Sequence, residues 1–554
     1  MKTRRLLGAL ALIALLPLQA QATRPCAEAA CAINKDSLVA DFDYLTNLLE
    51  SSHPDPYSGF GGKVSFHKKA YDLRNELSCR PCTLQEFWDK AMAFLSPLQD
   101  GHTCLYPLEN TPADALFIPI GFKCFSEGLI VQTLPQAHKE LLGSKLIGIN
   151  DKSTEELLSF TAERYACENR YDRYYKLYNQ IPRADFIRQL FPDAKDSVCF
   201  HLLTPRQETV ALKLPLLDSD AYRKAEKARL PHSELYPQGP LDYGFIDEKK
   251  QVMLFKAVSI QARDNFEFMY QNGWDFYPQL SSLYHYVLKK EMPADTLKAM
   301  QDLPSFSETF ARLLNEMKKE KASDLIIDLR GNGGGWTPIT LPTLYQLFGD
   351  AYLQTDMSTK YYRLISPLYL RKIGQTLEQF NRQTRQTYQY GDYTFDEAVP
   401  AAEVPIETLR SQFVANSMSC IKEELQAQQG KPLYTPEHIY VVTDEKTFSA
   451  AFHYAFYLWK MGATVVGVPS RQAPNSYMEQ TSFELPHTRL NGSISNSIQI
   501  FLPEQDKRAK IFYPDLMPAY DDYKKYDFDE QSEIRYLLEY INNRPDHLGR
   551  QPRR

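Results

Sequence analysis

The chain has 554 residues, room for two to four domains at about 150 residues each. Hydrophobic residues make up 43% and charged residues 24%, a globular usage that excludes a disordered or collagen-like chain. Lys and Arg number 63 against 69 Asp and Glu, and a net charge of −6 leaves no basic footprint for nucleic acid.

In chain order, residues 1–22 come first as an expected secretory signal peptide. Lys2, Arg4 and Arg5 precede an apolar stretch from Leu6 to Leu18, and Ala20-Gln21-Ala22 is a small-x-small cleavage signal. No later segment is long and apolar enough for a membrane span. Residues 23–108 are expected to be helical: Thr83-Leu84-Gln85-Glu86 is a capping box, followed by Phe87, Ala91, Phe94 and Leu95 at helical spacing. That helix ends near Pro97 and leaves Asp100-Gly101-His102-Thr103 in a loop. Residues 109–216 change to short strands and form a β-rich module, and the polar, proline-containing stretch 217–245 is expected to be a linker.

From 246 to 530 strands and helices alternate, which predicts an α/β domain; 531–554 is expected to be a C-terminal helix and tail. Val252 to Val258 and Leu325 to Leu329 are expected strands, with an amphipathic helix at Ser307 to Lys318. Ile439 to Val442, Ala450 to Trp459 and Thr464 to Val468 have the lengths of a βαβ unit. Gln261 to Pro304 and about Tyr361 to Ser419 look like aromatic-rich insertions, either subsite walls or plain packing.

Eight of the nine cysteines precede residue 200. In an exported chain this predicts disulfides, with Cys26/Cys31, Cys79/Cys82, Cys104/Cys124 and Cys167/Cys199 the nearest pairings in sequence and a buried, unpaired Cys420. A zinc site at Cys79-x-x-Cys82 is the competing reading.

Two motifs carry chemistry. Asp328-Leu329-Arg330-Gly331-Asn332-Gly333-Gly334-Gly335 follows a buried strand, and its glycines leave backbone N–H groups uncovered, as an oxyanion site requires. It lacks the Gly-x4-Gly-Lys-Ser/Thr of a phosphate loop. Thr447-Phe448-Ser449-Ala450-Ala451 places a serine at a helix start, at the carboxyl edge of the sheet where such folds put their sites. An N-cap would also account for that serine.

Together these motifs resemble the S41 family of serine peptidases, the C-terminal processing proteases and their tricorn-like relatives. The likeness extends to Ala463-Thr464-Val465-Val466-Gly467, to Leu98-Gln99-Asp100-Gly101-His102-Thr103, to His53-Pro54-Asp55-Pro56-Tyr57 and to Tyr513-Pro514-Asp515. It implies a crotonase-like α/β core, with the β-rich stretch 109–216 as a PDZ-like module that binds extended peptide by strand addition. Ser449 would be the nucleophile, with Ala450 N–H and either Gly333 or Gly334 N–H as oxyanion donors.

The departure lies in the base. Many family members carry a lysine about 25 residues after the serine, but position 474 is proline and no lysine falls between Lys460 and Lys507. The tricorn-like branch uses a histidine from the N-terminal side, a place that His102 matches. Glu504 and Asp506 lie where that branch carries the acid that orients the histidine. His453, one helical turn past the serine, is the competitor; His438 stands at the wrong end of its strand. The expectation is an exported serine endopeptidase, periplasmic or extracellular, acting on peptide or protein through an acyl-enzyme, with no cofactor or metal. The alternative is an inactive binding protein on the same fold.

Overall fold

An unbroken apolar run belongs to a strand covered on both faces, and Asp324–Asp328, buried at all five positions, is the centre of a five-stranded sheet. The computed structural model describes residues 32–108, 115–234, 237, 239–357, 359–397 and 404–544. The expected signal peptide, Cys26, Cys31 and the end of the C-terminal tail lie outside them.

In the central sheet Val252–Ala257, Asp324–Asp328, His438–Thr443 and Thr464–Gly467 run parallel in that order, with Leu241–Phe245 antiparallel at the edge. Alternate side chains face two layers. Met253, Phe255, Leu325, Ile327, Ile439, Val441 and Val465 pack under the helices Phe306–Glu320 and Ala450–Lys460. Leu254, Ile326, Tyr440, Val442 and Val466 pack on Ile534, Leu537 and Ile541 of the C-terminal helix Ser532–Asn543. The βαβ unit expected around Ser449 is therefore present, and its helix is buried at all eleven residues.

Helices Lys35–Ser52, Lys63–Cys79 and Leu84–Leu95 form the N-terminal region, and the capping box at Thr83 and Glu86 opens the third. Residues 121–229 form a seven-stranded antiparallel sheet accompanied by the helices Thr154–Arg164, Arg170–Gln180, Ala184–Leu190 and Ser219–Lys224. One continuous core joins this sheet, the N-terminal helices and Phe483, Leu485, Leu490 and Ile494 from late in the chain. That shared core brings His102 to Phe448 and Glu168 to the Ala473 N–H, on the loops that flank the serine turn.

Two expectations need correction. The stretch 217–245 is built into the sheets: Leu217–Asp218 pairs with Leu116–Phe117, Lys227–Arg229 with Gly128–Pro135, and Leu241–Phe245 with Val252–Ala257. Leu241–Phe245 is only half-buried throughout, so an edge strand escaped a search for apolar runs. The cysteines are the second case. Cys79, Cys82, Cys104, Cys124, Cys167, Cys199 and Cys420 are all free thiols, and Cys420 is exposed. Cys104 sits on a strand beside Ser493, whereas Cys124 lies in the seven-stranded sheet; closeness along the chain did not bring these thiols together.

The insertion 261–304 folds as short helices around its own cluster of Phe266, Met269, Phe276, Leu280 and Leu283. Phe268 carries it onto Trp336, next to the glycine run, with ring centroids 4.9 Å apart.

Candidate active site

The strand His438–Thr443 ends in a tight turn before the helix, and Ser449 takes φ 55°, ψ −125° at its start. An L-residue at such angles costs about 1–3 kcal/mol and persists only where its surroundings over-determine it. Here they do. The Phe448 N–H donates to Asn332 C=O at 3.0 Å, the His453 N–H donates to Ser449 C=O at 2.9 Å, and the Ser449 N–H donates to Gln472 Oε1. Asp444 accepts from the N–H groups of Lys446, Thr447 and Gly331, and Thr447 Oγ1 donates to Leu329 C=O at 2.9 Å. These bonds lock the serine turn to the glycine loop. Ser449 itself is partly exposed.

In the glycine loop Asn332 is the pin. Its Nδ2 donates to Ala257 C=O and its Oδ1 accepts the Gly334 N–H, both at 2.9 Å. Gly334 has φ +103°, and a Cβ there would stand 2.7 Å from Ser449 Cβ and 3.0 Å from Ala450 N. Only glycine allows this approach. Because the Gly334 N–H is already used, the two candidate donors differ: among the described residues no partner is recorded for the N–H of Gly333 or of Ala450.

His102 is buried, and its ring stacks on Phe448 with centroids 4.6 Å apart. Among the described residues neither ring nitrogen has a hydrogen-bond partner. Burial pushes the imidazole down to about 4; the Asp100 charge opposes this and the Arg471 guanidinium adds to it. Arg471 lies over the Phe448 ring, its guanidinium 4.0 Å from the centroid. Glu168 Oε1 stands 3.9 Å from His102 Nδ1. This carboxyl accepts from Gly101 N–H at 3.1 Å and Ala473 N–H at 2.8 Å, yet burial wins and raises it to about 8.

The structure thus brings His102 next to the residue before the serine, and gives it an acid that sequence reasoning did not name. Glu504 is exposed, while Asp506 caps the short helix Lys507–Ala509 and pairs with Arg508 at 2.7 Å; neither has a recorded contact with His102. His453 is occupied at both nitrogens, by Thr337 Oγ1 at 2.9 Å and Gln499 Oε1 at 2.7 Å. Lys460 is at the far end of the serine helix, about 15 Å along its axis. Asp515 accepts the Val465 N–H at 2.9 Å and braces the edge of the sheet. Gln472 lies in the loop where the family's lysine would be expected, and an amide there clamps the serine backbone instead of taking its proton. No local pattern marks Glu168 or Gln472, since each acquires its role only through packing.

Ligand atoms of Asp100, His102 and Glu168 lie within 4.8 Å of one another, a spacing able to hold a metal ion. Every oxygen of the two carboxylates already accepts a hydrogen bond, so a cation there would have to displace donors.

Residues 297–489 match the family model described as Peptidase family S41. No curated protein matches the chain. Among solved structures, mature CPAF is similar over 93% of this chain and 99% of its own, at 13% identity and a TM-score of 0.54. Mature CPAF complexed with lactacystin gives 92% and 99%, 13% identity and 0.51. A putative S41 protease from Bacteroides fragilis covers 91% and 98% at 11% identity, with a TM-score of 0.38. At such identities the likeness to CPAF speaks for the fold. The helical N-terminal region and mixed α/β architecture agree with the CPAF fold, and within that fold residues 297–489, which hold the glycine loop and Ser449, match serine-type peptidase family S41.

Proposed function

We propose that the protein is an exported serine endopeptidase with Ser449 as nucleophile, His102 as base and Glu168 as the acid that orients it. The observation that supports this best is a strained, partly exposed serine directly after Phe448, the ring on which a buried histidine stacks with both nitrogens unclaimed among the described residues. A buried imidazole without partners is costly in a resting protein and useful to an enzyme. With Nδ1 toward Glu168, Nε2 is left to take the proton from Ser449 Oγ as that oxygen attacks a peptide carbonyl. The oxyanion that forms would accept the N–H groups of Ala450 and Gly333. The imidazolium then protonates the leaving amine, and water releases the acyl group by the same route in reverse.

The signal-like residues 1–22 support export to the periplasm or beyond, and fusing them to a reporter tests it. The seven-stranded sheet supports a PDZ-like role in holding extended peptide against an edge strand. For the chemistry, the folded chain is treated with a fluorophosphonate, with lactacystin, the ligand of the CPAF complex, as competitor. Labelling at one serine, abolished in Ser449→Ala, is the expected result. A folded wild type that takes no label would instead identify a binding protein on a peptidase fold.

A further inference from the structure

Among the described residues the His102 ring makes no hydrogen bond, so its place depends on the loop that carries it and on the Phe448 ring that it stacks on. That loop is organised by the carboxylate of Asp100. Oδ1 accepts the His102 backbone N–H at 2.8 Å, and Oδ2 accepts from Thr103 Oγ1 and from His53 Nε2, the latter at 3.2 Å. Thr103 Oγ1 in turn accepts the Ser495 N–H at 3.0 Å, and the His102 carbonyl accepts from Ser493 Oγ at 2.7 Å. Asp100 and His53 are fully buried, so water cannot replace a donor that is lost.

The tautomer of His53 follows from its neighbours. The Asp55 N–H donates to Nδ1 at 3.1 Å, which leaves Nε2 as the protonated nitrogen of a neutral ring aimed at Asp100. Tyr477 lies against the ring at 4.7 Å between centroids, and its hydroxyl donates to Asp55 Oδ2 at 3.3 Å. From the second insertion, the Tyr393 hydroxyl donates to Pro54 C=O. A histidine at the end of the first helix is therefore held on three sides and spends its single N–H on one carboxylate.

We propose that His53 is a positioning residue for the base: its Nε2–H fixes Asp100, and through Asp100 the turn 100–103 that aims His102 at Ser449. The inference rests on the assignment of Ser449 and His102 above. Without that donor, the buried carboxylate must recruit another or take up a proton, and either change moves the backbone N–H that it holds. A displacement of about 1 Å at a catalytic group costs about 100-fold in rate.

The test uses the purified full chain, the rate of fluorophosphonate labelling, and kcat and KM on a peptide substrate. In His53→Phe, labelling and kcat should fall about 30- to 100-fold while KM stays within about threefold. His53→Gln, which keeps an N–H at comparable reach, should recover to within about fivefold of wild type. Asp100→Asn should lose as much as His53→Phe, and the double variant no more, because the two act as one unit. If circular dichroism shows that His53→Phe does not fold, His53→Asn takes its place, since its amide is too short to reach Asp100. Wild-type labelling in either folded variant overturns the proposal, as does equal damage from Gln and Phe, which would make ring shape the cause. A wild type that takes no label overturns the serine assignment and this inference with it.

Discussion

Around Ser449 most clamps come from its own motif or the glycine motif: Asp444, Thr447 and Phe448 bond to Leu329, Gly331 and Asn332 across adjacent parallel strands. Around His102 the partners are scattered along the chain. His53 and Asp100 set its loop, Glu168 stands at its Nδ1, Ser493 Oγ donates to its carbonyl and the Ser495 N–H donates to Thr103 Oγ1. The proposed nucleophile is thus a local product of strand, turn and helix, whereas the proposed base is assembled by a core that joins three regions. Local geometry survives many distant substitutions; an assembled geometry is exposed to all of them.

The largest effect should come from breaking both halves. Ser449→Ala and His102→Ala are each expected to lower kcat by at least about 10⁴-fold, with the double variant no worse, because nucleophile and base work as a unit. Losses that multiply in steady-state assays would separate the two residues and return His453 to consideration.

Gly334→Val comes next. Its Cβ would enter contacts of 2.7 Å with Ser449 Cβ and the Phe448 carbonyl at a backbone angle that disfavours side chains. Turnover should fall by about 100-fold or more. At Gly333 a Cβ meets nothing within 4 Å, so Gly333→Val keeps its N–H and should lose less than about tenfold. The reverse order would overturn the division of labour drawn here for the loop.

The pH profile sharpens the assembled half. The active form needs Glu168 ionised and His102 neutral, but burial has pushed the first up to about 8 and the second down to about 4. At neutral pH the pair therefore holds one proton, on the carboxyl group. On a substrate limited by chemistry, kcat/KM should rise about tenfold per unit toward pH 8. The limb should vanish below about pH 7 in Glu168→Gln. Stability moves the opposite way. The folded pKa of Glu168 lies above its unfolded value, so its stabilising contribution is complete below that value and lost as pH climbs through about 8. Melting curves from pH 6 to 9 should show Glu168→Gln gaining on wild type. A limb centred near the reference imidazole value of about 6.5 would remove Glu168 from the site.

The smallest effect is expected from Glu504→Ala and Asp506→Ala. One residue is exposed and the other engaged with Arg508, so each should change kcat/KM by less than about twofold. A loss near 100-fold in either would restore the acid position that the family resemblance implies.

The amino-acid sequence alone determined the α/β core, the serine turn and the glycine loop, because each is written in neighbouring residues. Apolar runs at 325–327 and 439–442 make buried strands, and only glycine allows the backbone at 334 to approach Ser449 so closely. It also pointed to His102, through a motif. What only the tertiary structure decided is which side chains surround that histidine and its loop. Glu168 follows a free cysteine and precedes a capped helix, with no local mark of function, and His53 lies 47 residues before the carboxylate that it holds. The roles proposed for them rest on burial: excluded from water, a carboxyl and an imidazole are defined by whichever donors and charges the fold sets beside them, and those neighbours are not neighbours in sequence.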